Sequence, residues 1–287
     1  MSKHESTEPI RRFFGWINHR TEIQIKKDRG DPWPWTEDKI FQEFKFTNAF
    51  RENDRTTVWF RENMREPLMH QEEVFMATVI FRWFNLIETG ETLLKHNLHI
   101  DWDPEKAYEV ILPQNKWITG AYMIKSPTGK NKIKGICETI NTVWNNRQAF
   151  LGRCPWGSLK DMWEVLLGYP FLGPFLAYEL VTDLRHTYIG HLAQDIDTWA
   201  NAGPGAMRGL NRIHYRPLTY TSKKHNWCAE MRFLLDISPQ YTEFSRPALE
   251  LRDIEHSLCE FDKYERVRLG QGQPRSKYTW GGNDERS

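Results

Sequence analysis

The sequence predicts a mainly α protein, and three observations lead there. Apolar residues return at helical spacing through most of the chain, segment starts carry caps or proline suited to helix N-termini, and strict apolar–polar alternation is nearly absent. No internal repeat is present.

The first helix is expected over residues 8–27, where Phe13, Trp16 and Ile17 fall at helical spacing, ending near Arg29-Gly30. Asp31-Pro32-Trp33-Pro34-Trp35 is an extended connector, because each residue before proline is pushed away from helix. Thr36 then reads as an N-cap with Glu37 and Asp38 in the first turn, opening a helix that runs toward Phe50. A strongly apolar helix over 71–88 reads as buried on much of its circumference. Asp103-Pro104-Glu105 starts another, which stops near Pro113. The stretch 116–134 is enriched in Thr, Ile, Tyr and Gly and reads as a short hairpin or a loop. Further helices are expected over 136–149, 159–167, 176–185, 206–213, 226–235 and 247–264. These form a single helical catalytic region over 1–270, divisible into two lobes of about 1–150 and 151–270, and a flexible tail over 271–287 rich in Gly, Pro and charge.

Composition narrows the class. The 287 residues can bury a substantial core, and with hydrophobic content at 39% the aromatics, 14% including thirteen Trp, carry much of the burial. A net charge of +1 announces no polyanion partner for the molecule as a whole. Basic residues are nevertheless clustered. Lys125, Lys130, Lys132 and Lys134 share one stretch, and Lys263, Arg266, Arg268, Arg275 and Lys277 another; such patches can grip a phosphate backbone. Cys137, Cys154, Cys228 and Cys259 show no paired spacing, and His225 with Cys228 lacks two further ligands, so reduced thiols and no metal site are expected. No signal segment or membrane span is read, which points to a soluble protein of the cytoplasm.

The segment from Tyr169 to Leu210 carries the chemistry. An apolar hairpin, Tyr169-Pro170-Phe171-Leu172-Gly173-Pro174-Phe175, leads into a helix. Asp195 and Asp197 follow, and then a second glycine turn, Gly203-Pro204-Gly205-Ala206, opens a helix around Arg208-Gly209-Leu210. Glycine lets the backbone turn sharply, and a helix starting after the turn offers unpaired N–H groups that attract phosphate.

The hairpin Leu172-Gly173-Pro174 with Ala177 resembles that of the helix–hairpin–helix DNA glycosylase superfamily, in which an aspartate follows some twenty residues later at a helix start. Asp195 and Asp197 stand in that region, and Asp197-Thr198 is similar to the Asp-Thr step of many of those enzymes. Phe175 stands where bifunctional members carry a lysine, which argues against Schiff-base lyase chemistry. More narrowly, the chain resembles the thymidine aminotransferase family of bacterial viruses, also described as α-glutamyl/putrescinyl thymine pyrophosphorylases. Three blocks carry the likeness. The first runs from His19-Arg20 through Trp35-Thr36-Glu37-Asp38 and Phe46-Thr47-Asn48 to Arg51-Glu52-Asn53-Asp54-Arg55. The second joins Asp197-Thr198-Trp199 to Gly203-Pro204-Gly205-Ala206 and Arg208-Gly209-Leu210. The third pairs Asp253-Ile254-Glu255-His256 with the stretch from Leu258 to Tyr264.

The resemblance implies a helix–hairpin–helix glycosylase-like helical fold and a transferase acting on double-stranded DNA. Its substrate would be a phosphorylated 5-hydroxymethyluracil, whose phosphate or pyrophosphate is displaced by the amine of an amino acid (glycine or glutamate) or a polyamine. This is a step of thymidine hypermodification that protects a viral genome from host restriction. Such chemistry favours extruding the base into a pocket. It needs a carboxylate to deprotonate the incoming ammonium, with Asp197 as first choice and Asp195 as second. Gly203, Gly205 and Ala206 would offer backbone donors to the departing phosphate, with Arg208 as clamp. Arg51 or Arg55 would hold an amino-acid carboxylate, with Asn48, Asp54 and Trp199 beside the substrate and Gly173, Lys263 and Arg266 on the DNA. No cofactor is evident, and a transient Mg²⁺ on the leaving group would leave no trace in the sequence.

Plainer roles stay open. Asp197 could cap a helix, and the cluster from Arg51 to Arg55 could be surface ion pairs. A DNA glycosylase and a non-catalytic DNA-binding protein are the alternative functions. A glycosylase leaves an abasic site, a transferase adds mass to the base, and in a mere binder loss of Asp197 changes no activity. Which amine, which leaving group and which aspartate also stay open.

Overall fold

The computed structural model describes residues 7–278 apart from 121, 123, 128, 130, 245, 246 and 275. Lys130, Arg275 and the last part of the expected tail, 279–287, lie outside the described residues. Among the described residues the chain is mainly helical, with thirteen α-helices and one isolated antiparallel bridge. In order they are α1 Thr7–Asp28, α2 Lys39–Glu43, α3 Arg55–Phe60, α4 Glu73–Phe84, α5 Ile87–Lys95, α6 Pro104–Ile111, α7 Lys132–Asn145, α8 Gln148–Leu151, α9 Leu159–Leu166, α10 Pro174–Leu184, α11 Pro204–Ile213, α12 Trp227–Ile237 and α13 Leu251–Arg268. Among the described residues no helix is long and apolar enough to cross a membrane.

The described residues form two compact units, one made of 7–54 with 196–278 and the other of 55–195. This division follows contacts rather than chain order, so it runs differently from lobes of about 1–150 and 151–270.

In the first unit α1, α11 and α13 pack together. Phe13 of α1 meets Phe261 of α13 edge-on at 5.6 Å between ring centroids, and Phe14 stacks on Tyr241 at 5.1 Å. α11 lies against α13 because two glycines remove the side chains between them. A Cβ on Gly205 would stand 2.3 Å from Cys259 Sγ, and one on Gly209 would stand 2.4 Å from the Leu258 carbonyl oxygen.

The helix expected from Thr36 toward Phe50 is much shorter. Asp38 is its N-cap, accepting from the Ile40 N–H at 2.8 Å, and the chain turns extended at Phe44. The reason is tertiary pairing. Lys45 N–H donates to the Ser276 carbonyl at 3.2 Å and Tyr278 N–H to the Glu43 carbonyl at 2.9 Å. Part of the segment expected as a tail is therefore held, and Tyr278 also stacks on Trp33.

The second unit is built around α4, whose residues from Val74 to Phe84 are all buried. Arg82 is among them. Its guanidinium reaches Asp183 of α10 at 2.6 and 3.0 Å, with Asn85 and Thr57 accepting its remaining donors and Arg65 standing 3.3 Å from the same carboxylate. A buried charge is tolerated only when paired in this way. The apolar run expected over 71–88 is interrupted at Asn85, which takes a left-handed φ of 44° and lets α5 start afresh. Between α3 and α4, Glu66 N–H bonds the Arg61 carbonyl at 2.8 Å, one residue wider than an α turn. α9 and α10 pack as a helix pair joined by the short turn 167–173, and Gly173 is the N-cap of α10.

Candidate functional site

The polar centre of the first unit is the segment 46–54, packed with α1 and α13. Asp54 ends a single 3-10 turn, Arg51–Asn53. One of its oxygens, Oδ1, accepts the Asn48 backbone N–H at 2.8 Å, and the other, Oδ2, stands 3.6 Å from His256 Nε2. Burial raises the Asp54 carboxyl to about 6, although the Asn48 N–H and the positive charges of Arg20 and Arg51 pull it the other way.

The surroundings are charged and enclosed. Arg20 of α1 donates from Nε to the Thr47 carbonyl at 3.0 Å and from Nη2 to the Phe46 carbonyl at 3.4 Å. Burial lowers its pKa, against the fields of Asp54 and Glu260. Glu260 of α13 accepts the Thr47 N–H at 3.1 Å and pairs with Lys263 at 2.6 Å, while Lys263 also lies over the Phe46 ring. Arg51 is buried, with Nη1 3.8 Å from Glu52. Asn48, only 6% exposed, donates from Nδ2 to the Asn53 carbonyl at 2.7 Å.

Among the described residues three buried polar atoms here have no hydrogen-bond partner: Arg20 Nη1, Thr47 Oγ1 and Asn48 Oδ1. Buried donors and acceptors are nearly always satisfied, so their concentration around one carboxylate makes this cluster the candidate site.

Of the residues expected from sequence, Asn48, Arg51 and Asp54 thus come together. Lys263 joins them through Glu260. Arg208 and Arg266 instead stand with Arg212 around Asp262, at 2.7, 3.6 and 2.8 Å respectively. Asp197 is exposed in a turn and has no polar partner among the described residues. Trp199 is half-buried in the irregular stretch before α11.

Gly203 is the N-cap of α11, Pro204 has no N–H, and Gly205 and Ala206 are buried inside the first turn. Gly203 N–H points to Glu255 Oε1 at 3.4 Å, so a carboxylate already stands where a phosphate was expected. The physical reason for the glycine at 205 is the close passage of α13.

Asp195, Arg55 and Gly173 belong to the second unit. Asp195 is engaged as a cap for α9. Its oxygens accept from the Ser158 hydroxyl at 2.8 Å, the Leu159 N–H at 2.7 Å and the Lys160 N–H at 3.1 Å. With both oxygens taken it is poorly disposed to receive a proton from a substrate. Arg55 is exposed at the first position of α3.

Among the described residues no three His, Cys, Asp or Glu stand close enough to hold a metal ion. His225 bonds Glu230 at 2.9 Å and Cys228 Sγ bonds the Ala200 carbonyl at 3.2 Å.

Sequence reasoning passed over Arg212, and it quoted Arg20, His256, Glu260 and Asp262 only within the blocks that carry the resemblance, without giving them a site role. A signal was present: His256, Glu260 and Lys263 recur on one face of α13 at helical spacing.

The model of the 5-hmdU DNA kinase helical domain matches residues 7–273. The chain belongs to this family. The match takes in every residue of the Asp54 cluster, and a mainly helical chain suits a helical-domain family. A 5-hmdU DNA kinase of Bacillus phage SP10 is 24% identical to this chain over 267 residues, covering 82% of this chain and 41% of that protein. The chain therefore spans less than half the length of the curated relative it matches. No solved structure matches it.

Proposed function

We propose that this helical domain performs an amine transfer on double-stranded viral DNA carrying phosphorylated 5-hydroxymethyluracil. The amine of an amino acid or polyamine attacks the 5-methylene carbon, a C–N bond forms, and the C–O bond breaks with its electron pair leaving on phosphate or pyrophosphate. The incoming ammonium gives one proton to the protein, and the product leaves as a secondary ammonium. The observation that carries this reading is the Asp54 site. A carboxyl near 6 is ionised at neutral pH yet basic enough to accept that proton. Asn48 Oδ1, a buried acceptor without a partner, can receive a further ammonium N–H.

Asp54 thus takes the role expected of Asp197, which is exposed in a turn. Arg51 and Arg20 supply the positive charge that an acidic donor or the developing phosphate needs. Trp199 and the α9–α10 turn with Gly173, the feature that resembles a helix–hairpin–helix, are assigned to the extruded base and the DNA. The phage relative's name, together with the family match, supports DNA bearing 5-hydroxymethyluracil as the target. The setting would be the host cytoplasm, where viral DNA is modified.

A second reading follows from the same name: phosphorylation of the 5-hydroxymethyl group rather than displacement of its phosphate. The two reactions run in opposite directions on the phosphate. The test is to incubate the full chain with phosphorylated 5-hydroxymethyluracil DNA and a mixture of amino acids and polyamines, digest to nucleosides and weigh them. Amine transfer replaces the phosphate mass with that of an amine. Unchanged substrate here, together with phosphate gained on unphosphorylated DNA plus ATP, would favour the kinase reading, and an abasic site would show a glycosylase.

A further inference from the structure

The geometry points to a phosphate-binding site on the face formed by α11 and α13, made by Arg208, Arg212 and Arg266 around Asp262. This site stands whichever reaction the Asp54 cluster performs. Asp262 is fully buried, and both its oxygens are taken, Oδ2 by Arg208 Nε at 2.7 Å and Oδ1 by Arg212 Nε at 2.8 Å. Two guanidiniums already saturate it. Arg266 is the third, its Nε 3.6 Å from Oδ2, buried and without a hydrogen bond.

One carboxylate among three guanidiniums leaves two positive charges uncompensated. The neighbouring acids of α13 are engaged elsewhere: Glu265 with Arg268 and Arg12, Glu260 with Lys263 and the Thr47 N–H, Glu255 with Arg252 and the Gly203 N–H. Like charges gathered around a saturated carboxylate repel one another unless an anion joins them.

The donors are also in place. Arg212 is buried and anchored further by its Nη2 bond to Gln271 Oε1 at 2.9 Å. Arg208 and Arg266, 37% and 36% exposed, have terminal nitrogens with no partner among the described residues and reach solvent from that fixed base. Planar forks held rigidly at one end suit the oxygens of a phosphate group, which is recognised through paired N–H donors. The phosphate can be a DNA phosphodiester or a free phosphate or pyrophosphate ion, since the shared chemistry is the same.

The test uses the full chain and two titrations: unmodified double-stranded DNA by fluorescence anisotropy between about 50 and about 200 mM salt, and inorganic phosphate or pyrophosphate by calorimetry. If the site holds the DNA backbone, Arg208→Gln with Arg266→Gln weakens DNA binding by about tenfold or more and lowers the salt slope by about two. If it holds the free ion, the same variant loses phosphate or pyrophosphate binding while DNA binding stays. Should Arg208→Gln disturb folding, Arg266→Gln alone, which breaks no hydrogen bond, lowers the slope by about one or weakens ion binding. A folded variant that leaves both titrations at wild-type values overturns the site, as does a wild-type protein that binds neither.

Discussion

Asp54 and His256 face each other within the first unit, His256 Nε2 standing 3.6 Å from Asp54 Oδ2 while the Asn48 N–H holds the other oxygen. The carboxylate is enclosed, yet it keeps one oxygen turned toward a group that can share a proton. As the proposed base it must be ionised to act, and it ionises at about 6. The rate of amine transfer, corrected for the free-amine fraction of the donor, should rise with pH through about 6 and then level. A rate profile flat between pH 5 and pH 8 would remove Asp54 from the reaction.

The same raised pKa has a consequence for stability. Below 3.8 the carboxyl is protonated in both the folded and the unfolded chain, and the native state carries no penalty. As pH rises through about 6 the native chain must ionise a group that burial holds back, so stability present at low pH is lost. The displacement from 3.8 to about 6 corresponds to ~3 kcal/mol. Asp54→Asn keeps an acceptor for the Asn48 N–H and removes the charge. Its stability relative to the wild type should therefore improve between pH 4.5 and pH 7.5, as read by urea denaturation. A difference that does not change with pH contradicts the assignment.

Gly209 tests how closely α11 and α13 pass. Glycine to alanine in an exposed helix interior normally stabilises by about 1 kcal/mol. At Gly209 the added methyl would meet the Leu258 carbonyl oxygen at 2.4 Å, backbone that cannot swing away. Gly209→Ala should destabilise by about 1–3 kcal/mol, the usual cost of overpacking. A gain in melting temperature would show that the helices have room.

Asp195 separates a cap from a base. Asp195→Ala removes acceptors for the Leu159 and Lys160 N–H groups and should cost about 1–2 kcal/mol. Transfer by the folded variant should stay within a few-fold of wild type. A hundredfold loss with an unchanged melting temperature would return Asp195 to the chemistry.

The long helices were legible because local signals decide them. α1 and α13 carry apolar residues at helical spacing, and α6 starts where Asp103 and Pro104 announce it. Where tertiary pairing wins, sequence reading overshoots: α2 stops at Glu43 because the next residues pair with 276–278. The short helix Arg55–Phe60 and its wider turn passed unnoticed, since Trp59, Phe60 and Met64 sit among polar residues without a clear stripe. The site was legible in part. Asn48, Arg51 and Asp54 were named from one segment, but what sets the character of Asp54 comes from α1 and α13. The bond from Thr47 N–H to Glu260 spans 213 residues, and no local pattern encodes a contact of that separation. The aspartates beyond the hairpin drew the role of base from their spacing and from the likeness of Asp197-Thr198 to an Asp-Thr step, and the fold spends one of them on a helix N-terminus.

The most direct test compares two variants on one substrate. Single-turnover rates of amine transfer to phosphorylated 5-hydroxymethyluracil DNA would be measured for wild type, Asp54→Asn and Asp197→Ala, with DNA affinity measured alongside. Loss of a general base typically costs about 10²–10⁴-fold. The account predicts that loss for Asp54→Asn with DNA binding retained, and near-normal transfer for Asp197→Ala. Full activity in Asp54→Asn, with the loss falling on Asp197→Ala instead, would contradict it.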